Sequence, residues 1–420
     1  MWHRTSDRKP GDLPAPLERD NPPPASRPPG GTVAEVLWVF LKLGLTSFGG
    51  PVAHLGYFHK ELVDKRGWLS DSQFAQLLAI CQFLPGPASS QLGFTLGLLR
   101  AGWRGAVAAF VAFTLPSALL LIGFAAALPL LAGRGAQAAI HGLKLVACAV
   151  VADAVLGMFN KLCPDARRRT LAAAAAVVVL LLGAVWSQVL VVLGGAVAGL
   201  IWCREQPGPG SSEVPLPYGR RLGIGLLAVF AGLLVVFSWG PVNGGLGSLA
   251  GAFYQAGALV FGGGHVVLPL LEESVVTSGW VTDEQFLAGY GAAQAIPGPM
   301  FAFAAYLGAL MPAPHGGWPG AIVALGFMFL PGFLLVAAAL PLWQNLCRSP
   351  RAVQAIAGVN AAVVGLLLAA LYDPIFTSGV TSATELAIAI IAFVMLTVWR
   401  RSPLWAVLWC VLASMATAYM

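Results

Sequence analysis

Of the chain's 420 residues, 58% are hydrophobic and only 10% charged, with a formal net charge of +6 and a mean hydropathy of +0.78. A soluble domain carries about 25% charged residues, so a soluble domain is excluded. The apolar runs from Val33 to the C-terminus read as an all-α polytopic membrane protein. The positive surplus is small and lies in loops, which points to loops held on the cytoplasmic face of a membrane rather than to nucleic acid.

Residues 1–32 are Pro-rich, with mixed charges and no apolar run of the kind a secretory signal needs, and read as a disordered cytoplasmic tail. Beyond it the chain says the same things twice. Phe48-Gly49-Gly50 is matched by Phe261-Gly262-Gly263. Gly67-Trp68 with Asp71, Gln73 and Phe74 is matched by Gly279-Trp280 with Asp283, Gln285 and Phe286. Gln82-Phe83-Leu84-Pro85-Gly86-Pro87 is matched by Gln294-Ala295-Ile296-Pro297-Gly298-Pro299. Gly102-Trp103 and Leu115-Pro116 return as Gly317-Trp318 and Leu330-Pro331. The same order with small shifts predicts an internal duplication. The repeats are residues 33–203 and 246–420, joined by a linker, 204–245, with one unmatched apolar helix near 222–240.

Val33–Phe48 would be about 24 Å long as a helix, and the arms Ser72–Leu84 and Ala88–Leu99 about 18–20 Å each, against roughly 30 Å of hydrocarbon. Each repeat is therefore expected to hold two re-entrant hairpins, with tips at Phe-Gly-Gly and Pro-Gly-Pro. The alternative is a bent helix at each place. Crossings then follow at 105–130, 136–160, 170–186 and 188–203, the lone 222–240 helix, and 320–342, 352–372 and 382–399. With these spans Lys60–Arg66, Arg100–Arg104, Arg167–Arg169, Arg220, Arg221, Arg348, Arg351, Arg400 and Arg401 fall on one face. Glu272, Glu273, Asp283 and Glu284 fall on the other, with Arg134 the one exception among the basic loop residues. The basic face is cytoplasmic, and the odd central helix makes the repeats inverted.

A helix broken inside a bilayer frees amide N–H groups at the start of the outgoing arm, and these carry the positive end of its dipole. Proline cannot continue the incoming helix and suits the first position of the next. Pro87 and Pro299 should therefore aim the amides of Ala88, Ser89 and Ser90, and of Met300, Phe301 and Ala302, at the membrane centre. Candidate anion-binding residues are Gly49, Gly50, Pro85, Gly86, Pro87, Ser89 and Ser90 of the first repeat, and Gly262, Gly263, Pro297, Gly298 and Pro299 of the second. Gln82 and Gln294 either donate to the anion or cap freed carbonyls. Lys42 is either a countercharge or a snorkelling side chain. Ser89-Ser90-Gln91 makes the first tip the richer in donors. His54, Asp153 and His265 are candidates for proton coupling, each with a packing role as its alternative. The six cysteines are scattered without ligand spacing, so neither metal nor cofactor is expected. No His, Cys or carboxylate cluster favours an intramembrane enzyme.

The paired Phe-Gly-Gly and Gln-x-x-Pro-Gly-Pro motifs, with Gly67-Trp68 and its echo, resemble the chromate ion transporter family in its long, two-domain form, over about residues 33–418. The likeness departs at Gly264-His265, where the first repeat has Pro51-Val52. The resemblance implies export of chromate through the cell membrane, driven by the proton motive force and conferring chromate resistance. Sulfate is the structural analogue. The expected mechanism is alternating access around a midplane anion site. Within transport, a sulfate or other oxyanion porter, outward or inward, and a passive anion channel are the alternatives. Partners are then the anion, protons and the lipid bilayer; assembly as a homo-oligomer stays open.

Overall fold

A computed structural model describes residues 30–48, 50–130, 133–182, 185–203, 216–239, 245–260, 267–343 and 349–419. Gly49, Gly262, Gly263 and His265 lie outside these residues, as does most of the N-terminal tail. Among the described residues the regular structure is helical. The first repeat contains α1 (Val33–Thr46), α2 (Gly50–Phe58) running into a π-helical turn His59–Lys65, α3 (Asp71–Phe83), α4 (Ala88–Ala127), α5 (Arg134–Leu162), α6 (Ala166–Leu182) and α7 (Val185–Trp202). The linker helix is α8 (Arg220–Trp239). The second repeat contains α9 (Leu246–Leu259), α10 (Val267–Val275), α11 (Asp283–Ala295), α12 (Phe303–Ala309), α13 (Gly317–Ala339), α14 (Pro350–Ala370), α15 (Ala383–Thr397) and α16 (Pro403–Tyr419).

The duplicated sequence folds into duplicated detail. Ser70 caps α3 in a reciprocal box with Gln73, and Thr282 caps α11 with Gln285 in the same way. Three matched glycine pairs take left-handed backbone: Gly67 and Gly279 (φ 56° and 74°), Gly86 and Gly298 (123° and 102°), Gly102 and Gly317 (67° and 65°). At the last pair, Ala101-Gly102 splits α4 into a short arm and a long helix, where the second repeat has the gap between α12 and α13. Short arms are thus present in both repeats. Of the expected crossings, those at 105–130, 136–160, 222–240, 320–342 and 352–372 fall on helices long and apolar enough to span, whereas those at 170–186, 188–203 and 382–399 fall on shorter helices.

Packing interleaves the repeats. α1 lays Val36, Val39, Phe40 and Leu43, one stripe at helical spacing, against α4; Gly44 lets them close, since a β-carbon there would stand 2.6 Å from the Phe113 carbonyl. α9 packs on α13 in the same manner. The following helices cross over: α5 packs on α15 and α16 of the second repeat, and α14 packs on α6 and α7 of the first. Gly195, Gly199 and Gly358 allow the α7–α14 contact at backbone distance. Among the described residues, five helical stretches are long and apolar enough to cross a membrane: Ala88–Leu130, Arg134–Leu162, Arg220–Ser238, Gly317–Leu342 and Pro350–Gly379. α8 is the most peripheral, exposing Ile224, Val229, Val235 and Val236, a surface suited to lipid rather than water.

Candidate functional site at the paired helix breaks

Both Gln-x-x-Pro-Gly-Pro copies break the chain. Leu84 and Ile296, each preceding a proline, are extended (ψ 152° and 138°), because the proline ring excludes the α region from the residue before it. One expectation needs correction. Pro87 and Pro299 stand one place before the first helical residue, as caps with extended backbone. The Pro87 carbonyl receives the first helical hydrogen bond, from the Gln91 amide at 2.8 Å, a geometry that fixed proline φ permits equally well. Ala88, Ser89 and Ser90 accordingly open α4 without intrahelical acceptors. In the second repeat the outgoing arm starts with a tight turn, Met300–Ala302, in which the Ala302 amide is spent on the Pro299 carbonyl at 2.9 Å.

Each tip is pinned to the other repeat. The Gly86 N–H donates to the carbonyl of Val260, at the end of α9, at 2.6 Å. The Gly298 N–H donates to the carbonyl of Ser47, at the end of α1, at 3.0 Å. Val260 and Ser47 are equivalent positions, each directly preceding a Phe-Gly-Gly. The tips also lie on equivalent walls: a β-carbon at Gly86 would stand 3.0 Å from Gly332 Cα, and one at Gly298 would stand 2.8 Å from Ser117 Oγ. Gly332 and Ser117 each follow the proline of a Leu-Pro pair inside a long helix, Pro331 in α13 and Pro116 in α4.

The two junctions differ in chemistry. At the first tip the fully buried Gln91 amide bridges the Pro85 carbonyl and the Gly332 carbonyl, both at 2.9 Å. Gln91 Oε1 and Ser90 Oγ are buried with no partner. The position matching Gln91 is Phe303, which packs with Phe286, Tyr290 and Tyr306. At the second tip the first repeat supplies the polar groups. His54 Nε2 lies 3.2 Å from the Ser47 carbonyl, its ring edge-on to Phe113. Ser117 Oγ donates to the Thr114 carbonyl at 2.9 Å, while Ser47 Oγ, His54 Nδ1 and Thr114 Oγ1 are buried and unpartnered. Ser47, Thr114, Ser117 and Gly332 carry no motif of their own. The Leu-Pro match two residues upstream of Ser117 and Gly332 is the signal that pointed near them.

Other candidate residues are engaged elsewhere. Lys42, its side chain 57% exposed, pairs with the buried Glu61 at 3.4 Å, and Glu61 also receives Lys65 and Arg66. Burial alone would raise the Glu61 carboxyl, but Arg66, Lys65 and Lys42 outweigh it and hold it below the usual carboxylate range. Gln82 Oε1 accepts from Lys161 at 3.4 Å in an exposed position. Gln294, its sequence counterpart, is buried, with Nε2 directed at Met300 Sδ, 3.2 Å away. Asp153 is half-buried on α5 with Arg400 as its charged neighbour. Lys144, on the same helix, is buried and donates to Glu284 at 2.8 Å. His59 sits between Asp64 (3.5 Å) and Asp71 (2.7 Å). The trio is an exposed, carboxylate-flanked imidazole whose ligand atoms all lie within 4.8 Å of one another.

A multi-pass, all-α framework with a pair of broken helices, each held by the opposite repeat, is that of a polytopic membrane protein. The chain belongs to the chromate transporter family: the family model matches residues 34–200 and again residues 247–415. It is 30% identical over 354 residues to a probable chromate transport protein of Synechococcus elongatus, covering 81% of this chain and 84% of that one. It is 28% identical over 344 residues to a chromate transport protein of Cupriavidus metallidurans (81% and 82%). It is 29% identical over 356 residues to one of Pseudomonas aeruginosa (84% and 82%). No solved structure gives a significant match.

Proposed function

We propose that this protein exports chromate or a chromate-like oxyanion across the cell membrane as a proton-coupled secondary transporter, with its N-terminus in the cytoplasm. The observation that carries the reading is the reciprocal docking of the two tips, Gly86 on Val260 and Gly298 on Ser47. Each junction is a single hydrogen bond with glycine contacts, which small movements would break at one tip at a time. Discontinuous helices whose free amides face a central site are a recurrent transporter device. The Ala88, Ser89 and Ser90 amides, with the unpartnered Ser90 hydroxyl, supply anion donors at the first tip. The names of the relatives supply chromate.

Charge pairing supports the inverted arrangement. Glu35 with Arg100 and Glu61 with Lys42, Lys65 and Arg66 join residues assigned to the cytoplasmic face. Lys144 with Glu284, and His141 with Glu385, gather toward the opposite face. Because α5 and α14 are each packed on the other repeat, access alternates by movement of the tips and short arms within this interleaved frame. Radiolabelled chromate and sulfate flux in vesicles of known orientation tests the reading. Chromate moving outward from the cytoplasmic side under a proton gradient is expected, and movement of neither anion sinks it. A proton-independent chromate current would make the protein a channel instead. Cysteine labelling of 60–66 and 272–284 is expected to reach them from opposite faces.

A further inference from the structure

Resting on that transport reading, we infer that His54 is the residue that takes up the coupled proton, at Nδ1, and that it reports its state to the second tip through the carbonyl of Ser47. The hydrogen bonding assigns the tautomer. A carbonyl oxygen can only accept, so His54 Nε2, 3.2 Å from the Ser47 carbonyl, carries the ring proton. In the neutral ring Nδ1 is then a bare lone pair, and it is buried with no donor facing it. Burial away from any counter-charge disfavours the imidazolium and keeps the ring neutral while the junction is closed. A bare Nδ1 without a partner is costly to keep buried, and it takes up the proton when the junction opens and water reaches it.

The link to the tip is direct. The same Ser47 carbonyl accepts from Gly298 N–H at 3.0 Å and from His54 Nε2 at 3.2 Å. Protonation at Nδ1 makes the ring a cation and its Nε2–H a stronger donor, so His54 competes better for the oxygen that holds the tip. Nothing else charged meets the ring among the described residues. α4 sets Phe113 edge-on to the ring, and Gly298 of the tip packs on Phe113 and Ser117; Arg100 of α4 is paired with Glu35 of α1. α1 also carries Lys42, which is bound to Glu61; on the π-helical turn Lys65 joins Glu61 and His59 is flanked by Asp64 and Asp71. Among the described residues no titrating side chain is bonded to the Val260 carbonyl, and the bridging at the first tip is done by the non-titrating Gln91.

The test compares wild-type protein with His54→Gln in proteoliposomes, because the glutamine amide can keep a donor to the Ser47 carbonyl while removing the titrating nitrogen. Two fluxes of labelled chromate are read: exchange without a gradient, and accumulation driven by an imposed pH gradient. The expected result is a few-fold slower exchange with the accumulation ratio falling to unity. Exchange and accumulation falling in proportion, or neither falling, overturns the inference, since His54 would then serve packing or anion binding alone. His54→Asn, which tests loss of the Nε2 donor as well, is expected to lose accumulation and also to slow exchange further than His54→Gln; equal exchange in the two overturns the link to Ser47. A wild-type protein that moves no chromate fails the transport reading itself, a result separable from all of these.

Discussion

The Gly298 amide and the Ser47 carbonyl, 251 positions apart in the numbering, meet at 3.0 Å and fasten the broken helix of the second repeat to the first arm of the first. Gly298 can do this because its φ of 102° and its contact with Ser117 Oγ leave no room for a β-carbon. Gly298→Val, and by the same geometry Gly86→Val, are expected to insert in the membrane at wild-type levels and lose chromate flux. Flux assays on both variants after quantified insertion check this, and unchanged flux in both would reduce the tips to packing.

Gln91 is the clasp of the first tip. Gln91→Met keeps the volume but leaves the Pro85 and Gly332 carbonyls without their donor. Leaving a buried acceptor unpaired costs about 1–3 kcal/mol. A lowered midpoint of thermal unfolding in detergent is the expected outcome, together with a changed transport rate. A midpoint equal to the wild type would show that the amide holds nothing.

The acidic group around Glu272 gives a pH dependence of stability. Burial, with the charges of Asp283, Glu273 and Asp373, pushes the Glu272 carboxyl up to about 7. A carboxyl raised in the folded state contributes stability that is fully present below its unfolded value and is lost as the pH rises through the folded value. Thermal unfolding between about pH 5 and pH 8 should therefore show wild-type protein losing stability that Glu272→Gln retains, with the gap widening toward the alkaline end. Parallel curves would place Glu272 in ordinary solvent.

Lys144 and Glu284 form an asymmetric pair, with the lysine side chain 8% exposed and the glutamate 78%. Breaking a fully buried pair costs about 3–5 kcal/mol, most of it the stranded charge; the exposed carboxylate makes the cost smaller here. Glu284→Gln strands the buried ammonium, whereas Lys144→Met strands only a solvated carboxylate. Unfolding midpoints should accordingly fall further for Glu284→Gln, and the reverse order would mean that Lys144 has other anionic company.

Much of this architecture was legible without coordinates, because its causes are local. Pro-Gly-Pro dictates a break wherever it occurs, and Leu84 and Ile296 could not stay helical before a proline. Ser70-x-x-Gln73 and Thr282-x-x-Gln285 close their capping boxes within four residues. The matched motifs announced the duplication, and the long apolar stretches the crossings. The candidate site was legible only in outline. Gly86, Gly298, Ser90 and Gln91 were visible as types in a pattern. Lys42 and Gln82 looked equally promising until their partners, Glu61 and Lys161, came into view.

What only the tertiary structure decided is who meets whom. Ser47, Val260, Ser117 and Gly332 are unremarkable residues whose importance comes from the tip that lands on them, and the crossed exchange of α5 and α14 between repeats has no signature in either repeat alone. Local sequence sets where a helix must break, since backbone sterics act within a few residues. Which carbonyl then receives the freed amide depends on packing across more than two hundred residues, and that is settled only when the two repeats fold around one another.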